Sequence, residues 1–127
     1  MKNRLLFICI LLIGVSVHVD SQVFTRKIKA VSVNFGSGWS RQSPCFVDVV
    51  FNTDHQTITL NAEIKAVFTV ICSKETVGKH AAILRGILRD NTHREIKFEI
   101  ITYRDNSGDL IMDYGDVQVK YKVYPKI

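Results

Sequence analysis

The chain is poor in residues that break or staple a fold. It holds only two prolines, Pro44 and Pro125, in 127 residues. Most of its length can therefore donate to a sheet without interruption. Cysteine occurs three times, too rarely for the dense disulfide framework of a small secreted scaffold. No Cys-x-x-Cys, His-x-His or His-x-x-x-His spacing occurs, so the usual sequence signs of a zinc site are missing. "FGSGWS" is glycine-rich but lacks the Lys-Ser/Thr ending and following helix of a phosphate loop. A Gly-x-Ser-x-Gly nucleophile elbow is also missing. The 17 Lys and Arg residues outnumber the 12 Asp and Glu, yet they form no run. That dispersed balance argues against nucleic acid as a partner. Neither a metal nor another cofactor is expected.

Only one long apolar run occurs, and it is at the N-terminus. "MKNRLLFICILLIGVSVHVDSQ" carries Lys2 and Arg4, then an apolar stretch from Leu5 to Val17. The stretch is short for a membrane span and suits a secretory leader. Val19-Asp20-Ser21 places cleavage before Gln22. Residues 1–21 are thus read as a signal peptide and 22–127 as a single β domain, of the commonest domain size. Cys9 lies inside the apolar run, which disfavours a lipid anchor. Loss of Lys2, Arg4 and Asp20 leaves a net charge of +4 from the +5 of the full chain. The expected location is the periplasm or the exterior, with no span remaining after leader cleavage. Cys45 and Cys72 then form a disulfide candidate in an oxidising compartment. The alternative is two separate buried thiols.

The dominant pattern beyond residue 22 has a period of two, which is that of half-buried strands. In "VQVKYKV" Val117, Val119, Tyr121 and Val123 alternate with Gln118, Lys120 and Lys122. "REIKFEI" sets Ile96, Phe98 and Ile100 against Lys97 and Glu99. "FVDVVF" gives Val47, Val49 and Phe51 one face, and "TITL" adds Ile58 and Leu60. "NTDHQ", "RDNTHR" and "RDNSGD" supply turn residues between runs. The spacing predicts about eight strands: 23–34, 45–52, 56–61, 64–72, 81–89, 94–103, 109–114 and 117–124. Only "SKETVGKHA" leaves room for a helical turn. An all-β fold follows, a meander of antiparallel strands closed as a small barrel or folded as a two-layer sandwich. So many strands in so short a domain favour a filled interior or a shallow cleft.

Few residues suggest chemistry. Asp113-Tyr114-Gly115-Asp116 could pair two carboxylates, but Gly115-Asp116 sits where strand parity changes, which a tight turn explains. No catalytic residue is assigned. His55, His80 and His93 are isolated, two of them in polar turns. Trp39, the sole tryptophan, lies in a loop with Gly36, Gly38 and Arg41. A plug closing one barrel end is the favoured reading; stacking on a sugar or anchoring a partner is the other. Lys97, Lys120 and Lys122, with Arg85 and Arg89, would lie on the wet face of the sheet. Such a strip keeps a sheet soluble. It also attracts acidic partners.

"GWS" (38–40), "VDVVFNTDHQTITL" (47–60) and "SGDLIMDYGDVQVKYKV" (107–123) together resemble a group of short exported β-proteins of Bacteroidetes-type bacteria. The leader ending in "SQ" is similar to theirs. The resemblance covers most of the chain after the leader and implies a small periplasmic or secreted β-domain of unassigned function. It carries no catalytic residues. The chain departs from that group in being basic and in lacking an acidic middle segment. The leading expectation is a monomeric, non-enzymatic binding or structural module. Trp39, Arg41, Lys97, Lys120 and Lys122 would be its contact residues, with an acidic glycan or protein as partner. A lipocalin-like carrier of an apolar ligand is the alternative.

Overall fold

The period-two pattern produces a closed antiparallel barrel. The computed structural model describes residues 23–45, 47–52, 55–62 and 64–124; the expected leader, residues 1–21, lies outside them. The strands are β1 (Val23–Asn34), β2 (Ser43–Pro44), β3 (Asp48–Asn52), β4 (Thr57–Asn61), β5 (Ala66–Val77), β6 (Ala81–Arg89), β7 (Glu95–Tyr103), β8 (Gly108–Asp113) and β9 (Gln118–Val123). Hydrogen bonding runs in the order β2-β1-β3-β4-β5-β6-β7-β8-β9, and β1 also pairs with β9. Eight strands therefore close into a barrel, and the two-residue β2 is an added piece on β1. The sandwich alternative is excluded by that β1–β9 ladder.

Strand parity decides what is inside. Val49, Phe51, Ile58, Leu84, Leu88, Ile96, Ile100, Leu110 and Met112 fill the axis of the barrel. Burial of each contributes roughly 1.5–3 kcal/mol. The outward positions carry Lys74, Arg85, Lys97, Glu99, Lys120 and Lys122 between them. Apolar inside and charged outside is the reverse of a membrane barrel, whose outer band faces lipid. Among the described residues no helix is long and apolar enough to cross a membrane. Tyr121 packs inward against the core, and burial pushes its phenol up to about 12.

Two bulges reset this parity. On β1, Ile28 faces Val123 but Ala30 already faces Lys122, so Lys29 is the extra residue. Ile28 is buried inside, and beyond the bulge Val31 and Val33 face Tyr121 and Val119. Ala30 and Ser32 switch to the outward parity. They are nonetheless only 6% and 5% exposed, being small side chains in register with Lys120, Lys122 and Pro44.

On β5, Val70 faces Leu88 but Cys72 faces Ile87, so Ile71 is extra. Cys72 and Lys74 turn outward as a result. The bulge presses β5 onto Gly86 of β6. A Cβ there would lie 1.9 Å from the Cys72 carbonyl oxygen and 2.8 Å from Ser73 Cα.

Two expectations are corrected by this geometry. "SKETV" contains no helical turn but is the second half of β5, paired with β6 as far as Val77 opposite Ala82. The expected count of about eight strands holds for the barrel wall, and among the described residues the two-residue β2 is added to it. Cys45 and Cys72 are both free. Cys45 packs against the core ahead of β3, whereas Cys72 is exposed on the outer face of β5, and that strand adjoins neither β1 nor β3. Within the bulge, Gly86→Ala should cost about 1–3 kcal/mol by overpacking two backbones. Urea unfolding measures this, and an unchanged midpoint would show that the β5–β6 approach is looser than described.

Candidate functional site

Outward positions on β5 to β9 form two continuous cross-strand rows. One row runs Cys72, Ile87, Lys97, Asp113, Gln118 and Asn34. The next runs Lys74, Arg85, Glu99, Ile111, Lys120 and Ser32. Side chains from both rows line an open groove of about 620 Å³, and Trp39 lines it too. Ile87, Ile111 and the indole supply apolar surface. Lys74, Arg85 and Lys97 outnumber Glu99 and Asp113 among its charged residues.

The Trp39 loop is positioned by β1. Asn34 Oδ1 accepts from the backbone N–H groups of Gly36 (2.8 Å) and Gly38 (3.2 Å). Both glycines have positive φ, 109° and 115°, a region that other residues enter at a cost. The chain then doubles back: Ser40 N–H donates to the Val33 carbonyl at 2.7 Å, and Val33 N–H donates to Ser40 Oγ at 2.9 Å. Trp39 bridges Asn34 in antiparallel fashion. Lys120 Nζ sits 4.3 Å from the centroid of the indole ring. A cation at that distance is attracted by the ring quadrupole, by about 0.5–1 kcal/mol at an exposed site.

Trp39 is consequently not a barrel plug. It stands outside, 40% exposed, at one end of the groove. The axis is filled by other side chains, and the loop's hydrogen bonds to β1 turn it along the outer wall.

The other sequence-assigned residues divide. Trp39 and Lys97 meet in the groove, and Lys120 joins through its contact with the indole. Lys122 is one row further on, between Ala30 and Asp109 in register. Arg41 is exposed in the loop beyond Trp39 and is not among the groove residues. Sequence reading missed Lys74, Cys72 and Ile87, because the Ile71 bulge that turns the first two outward has no signature in the residue pattern. Arg89 pairs with Glu95 at 3.2 Å, away from the groove.

The electrostatics of the second row are uneven. Lys74 and Arg85 stand directly opposite each other, and like charges facing across a ladder are destabilising. Arg85 is partly relieved by Glu99, at 2.5 Å between Nε and Oε2. Such an exposed pair contributes about 0–1 kcal/mol. Lys74 has no acidic residue opposite it.

The Asp113–Asp116 corner is structural. Tyr114 N–H donates to the Val117 carbonyl at 2.9 Å, closing the β8–β9 turn. Asp113 Oδ1 accepts from Gly115 N–H at 2.9 Å, and Gly115 takes φ 98°. Asp113 Oδ2 also accepts from the Gln118 amide at 3.4 Å. His55, His80 and His93 are all exposed and lie in separate turns. Among the described residues no group of three His, Cys, Asp or Glu side chains is placed to hold a metal.

No protein-family model, curated protein or solved structure matches the chain.

The two thiols differ in accessibility. Burial pushes the Cys45 thiol up from its ordinary value, while Cys72 is exposed in the groove. A thiol reagent such as DTNB should label Cys72 rapidly in the folded leaderless protein and Cys45 only on unfolding. Absence of any free thiol in the oxidised protein would instead mean that the two are bonded.

Proposed function

We propose that this chain is an exported, non-enzymatic β-domain that acts as a binding module for an acidic glycan. Its contact surface is the outer groove, with Trp39 as the stacking platform and Lys74, Lys97 and Lys120 as the cationic contacts. The observation that carries this reading is the facing of Lys74 and Arg85 across the ladder, in a groove whose other end carries an exposed indole. An anion entering the row offsets that repulsion. The indole supplies the flat apolar surface that sugar rings favour. The leader pattern and the resemblance noted above support export to the periplasm or beyond. An acidic protein would use the cations without needing the indole.

A carrier of an apolar ligand is the second reading, since a small barrel is compatible with it. The axis is packed with side chains, so the ligand of such a carrier would lie on Ile87, Ile111 and Trp39 in the outer groove. Mass spectrometry of the protein purified natively would then detect a retained lipid.

The test is titration of the leaderless protein with polygalacturonate and with neutral dextran at matched ionic strength, by calorimetry. The expected result is saturable binding of the acidic polymer only. Trp39→Ala and the double charge reversal Lys120→Glu/Lys122→Glu should each weaken it about tenfold, or ~1.4 kcal/mol. Equal affinity in both variants would contradict the surface assignment. Loss in the charge variant with none in Trp39→Ala would favour an acidic protein over a glycan.

A further inference from the structure

A second pocket opens at the end of the barrel where β5 turns into β6 and β7 turns into β8. Its volume is about 310 Å³. Lys79, His80 and Arg104 lie on its walls, and among the described residues no carboxylate lines it. All three basic side chains are exposed. They come from two separate turns, so the sequence gives no sign that they converge.

The interior side of this pocket holds an unusual hydroxyl. Thr102 lines it and is only 4% exposed, yet its Oγ1 has no hydrogen-bond partner. Parity places it inward, opposite Ala82 on β6 and Gly108 on β8. A buried hydroxyl left without a partner costs about 1–3 kcal/mol. An acceptor entering the pocket would recover that cost.

The walls are also prepared for negative charge. The Asn106 carbonyl, which would repel an anion, accepts a hydrogen bond from Arg26 Nη2 at 3.1 Å. Arg26 is 5% exposed and donates from the same nitrogen to the Tyr124 carbonyl. Its desolvated guanidinium thus adds a fixed positive charge behind the β7–β8 turn. Gly78 N–H is occupied by the Ala81 carbonyl at 2.8 Å, so donation falls to the side chains. Two acids stand near: Asp105, in the same turn, accepts from Ser107 N–H at 2.9 Å and from its hydroxyl, and Asp109, on the outward parity, accepts from the Tyr103 hydroxyl at 2.7 Å through Oδ2 while its Oδ1 is buried without a partner. Neither lines the pocket.

We propose that this end of the barrel is a binding site for a phosphate-type oxyanion group. Lys79, His80 and Arg104 surround the charge, and the Thr102 hydroxyl donates to one oxygen. The tetrahedral group suits donors arriving from several directions, and charge-assisted hydrogen bonds are the strong ones. The volume admits more than the bare anion, so the group belongs to a larger molecule, either a soluble phosphate ester or a lipid headgroup. The site is separate from the Trp39 groove and does not depend on it.

The experiment is a ¹H–¹⁵N titration of the leaderless protein with inorganic phosphate, using chloride at the same ionic strength as reference. Saturable shifts are expected at residues 78–82 and 102–106 with phosphate alone. Lys79→Glu/Arg104→Glu, both exposed positions, should weaken binding by about tenfold or more. Thr102→Val, which keeps the shape and removes the hydroxyl, should weaken it roughly threefold. The same variant should raise the melting temperature without phosphate, because it deletes an unpartnered buried group. Co-sedimentation with phosphatidylglycerol vesicles, lost in the charge variant, would assign the phosphate to a lipid. Phosphate binding without co-sedimentation would assign it to a soluble ester. Shifts that do not saturate, that chloride reproduces, or that persist unweakened in the charge variant would overturn the proposal.

Discussion

The β1–β9 ladder is the constraint on which the rest depends. β1 pairs with β2 and β3 along one edge and with β9 along the other. Without the second set of pairings the sheet would be open, with unpaired edges that invite association. Closure requires β1 to keep Ile28 in the core and then to offer Val31 and Val33 to Tyr121 and Val119. A strand of strict alternation cannot place 28, 31 and 33 on one side. The extra residue at Lys29 makes it possible, and it leaves Ala30 and Ser32 as the small outward residues beside Lys120 and Lys122.

The same switch of parity prepares the outer surface. Asn34 emerges on the row of Gln118, whose side-chain carbonyl accepts from the Asn34 amide at 3.3 Å. From there Asn34 anchors the loop that carries Trp39. At the far side of the groove, the Ile71 bulge performs a matching operation on β5 and turns Lys74 toward Arg85. Bulges commonly re-aim side chains at the rim of a site. Here one lies at each side of a face whose central strands are regular. The Gly86 contact shows how closely the two strands must approach for the second bulge to form. The binding reading thus rests on side chains whose direction is fixed by the backbone of a packed barrel.

Most of the framework was legible in the residues. Val49, Phe51, Ile58, Leu60, Ile96, Phe98, Ile100 and Val123 were all read as one-sided, and all are buried. The limits of β1 and β6 agree with the expected spans, because clean alternation and polar turns bound them. What alternation cannot reveal is its own interruption. Ser73 and Glu75 look like surface residues, so alternation ends the strand at Cys72, yet both take the inward parity opposite Gly86 and Leu84. Trp39 was misplaced for another reason: the Asn34 and Ser40 hydrogen bonds that turn its loop are local, but the wall along which they turn it is set by the pairing of Asn34 with Gln118 on β9. The groove and the basic end pocket are assembled from strands and turns far apart in the chain, so their membership had no local signal.

The register of β1 against β9 is the most direct test of this account. Cross-strand nuclear Overhauser contacts between backbone protons should be measured for residues 28–34 against 118–123. Val31 is expected opposite Tyr121 and Val33 opposite Val119, with Lys29 unpaired against β9. Finding Ala30 opposite Tyr121 and Ser32 opposite Val119 would contradict it. That register would remove the bulge, bury Ala30 and Ser32 in the axis and turn Val31 and Val33 outward. Asn34 would then leave the Gln118 row, and the Trp39 groove would lose its foundation.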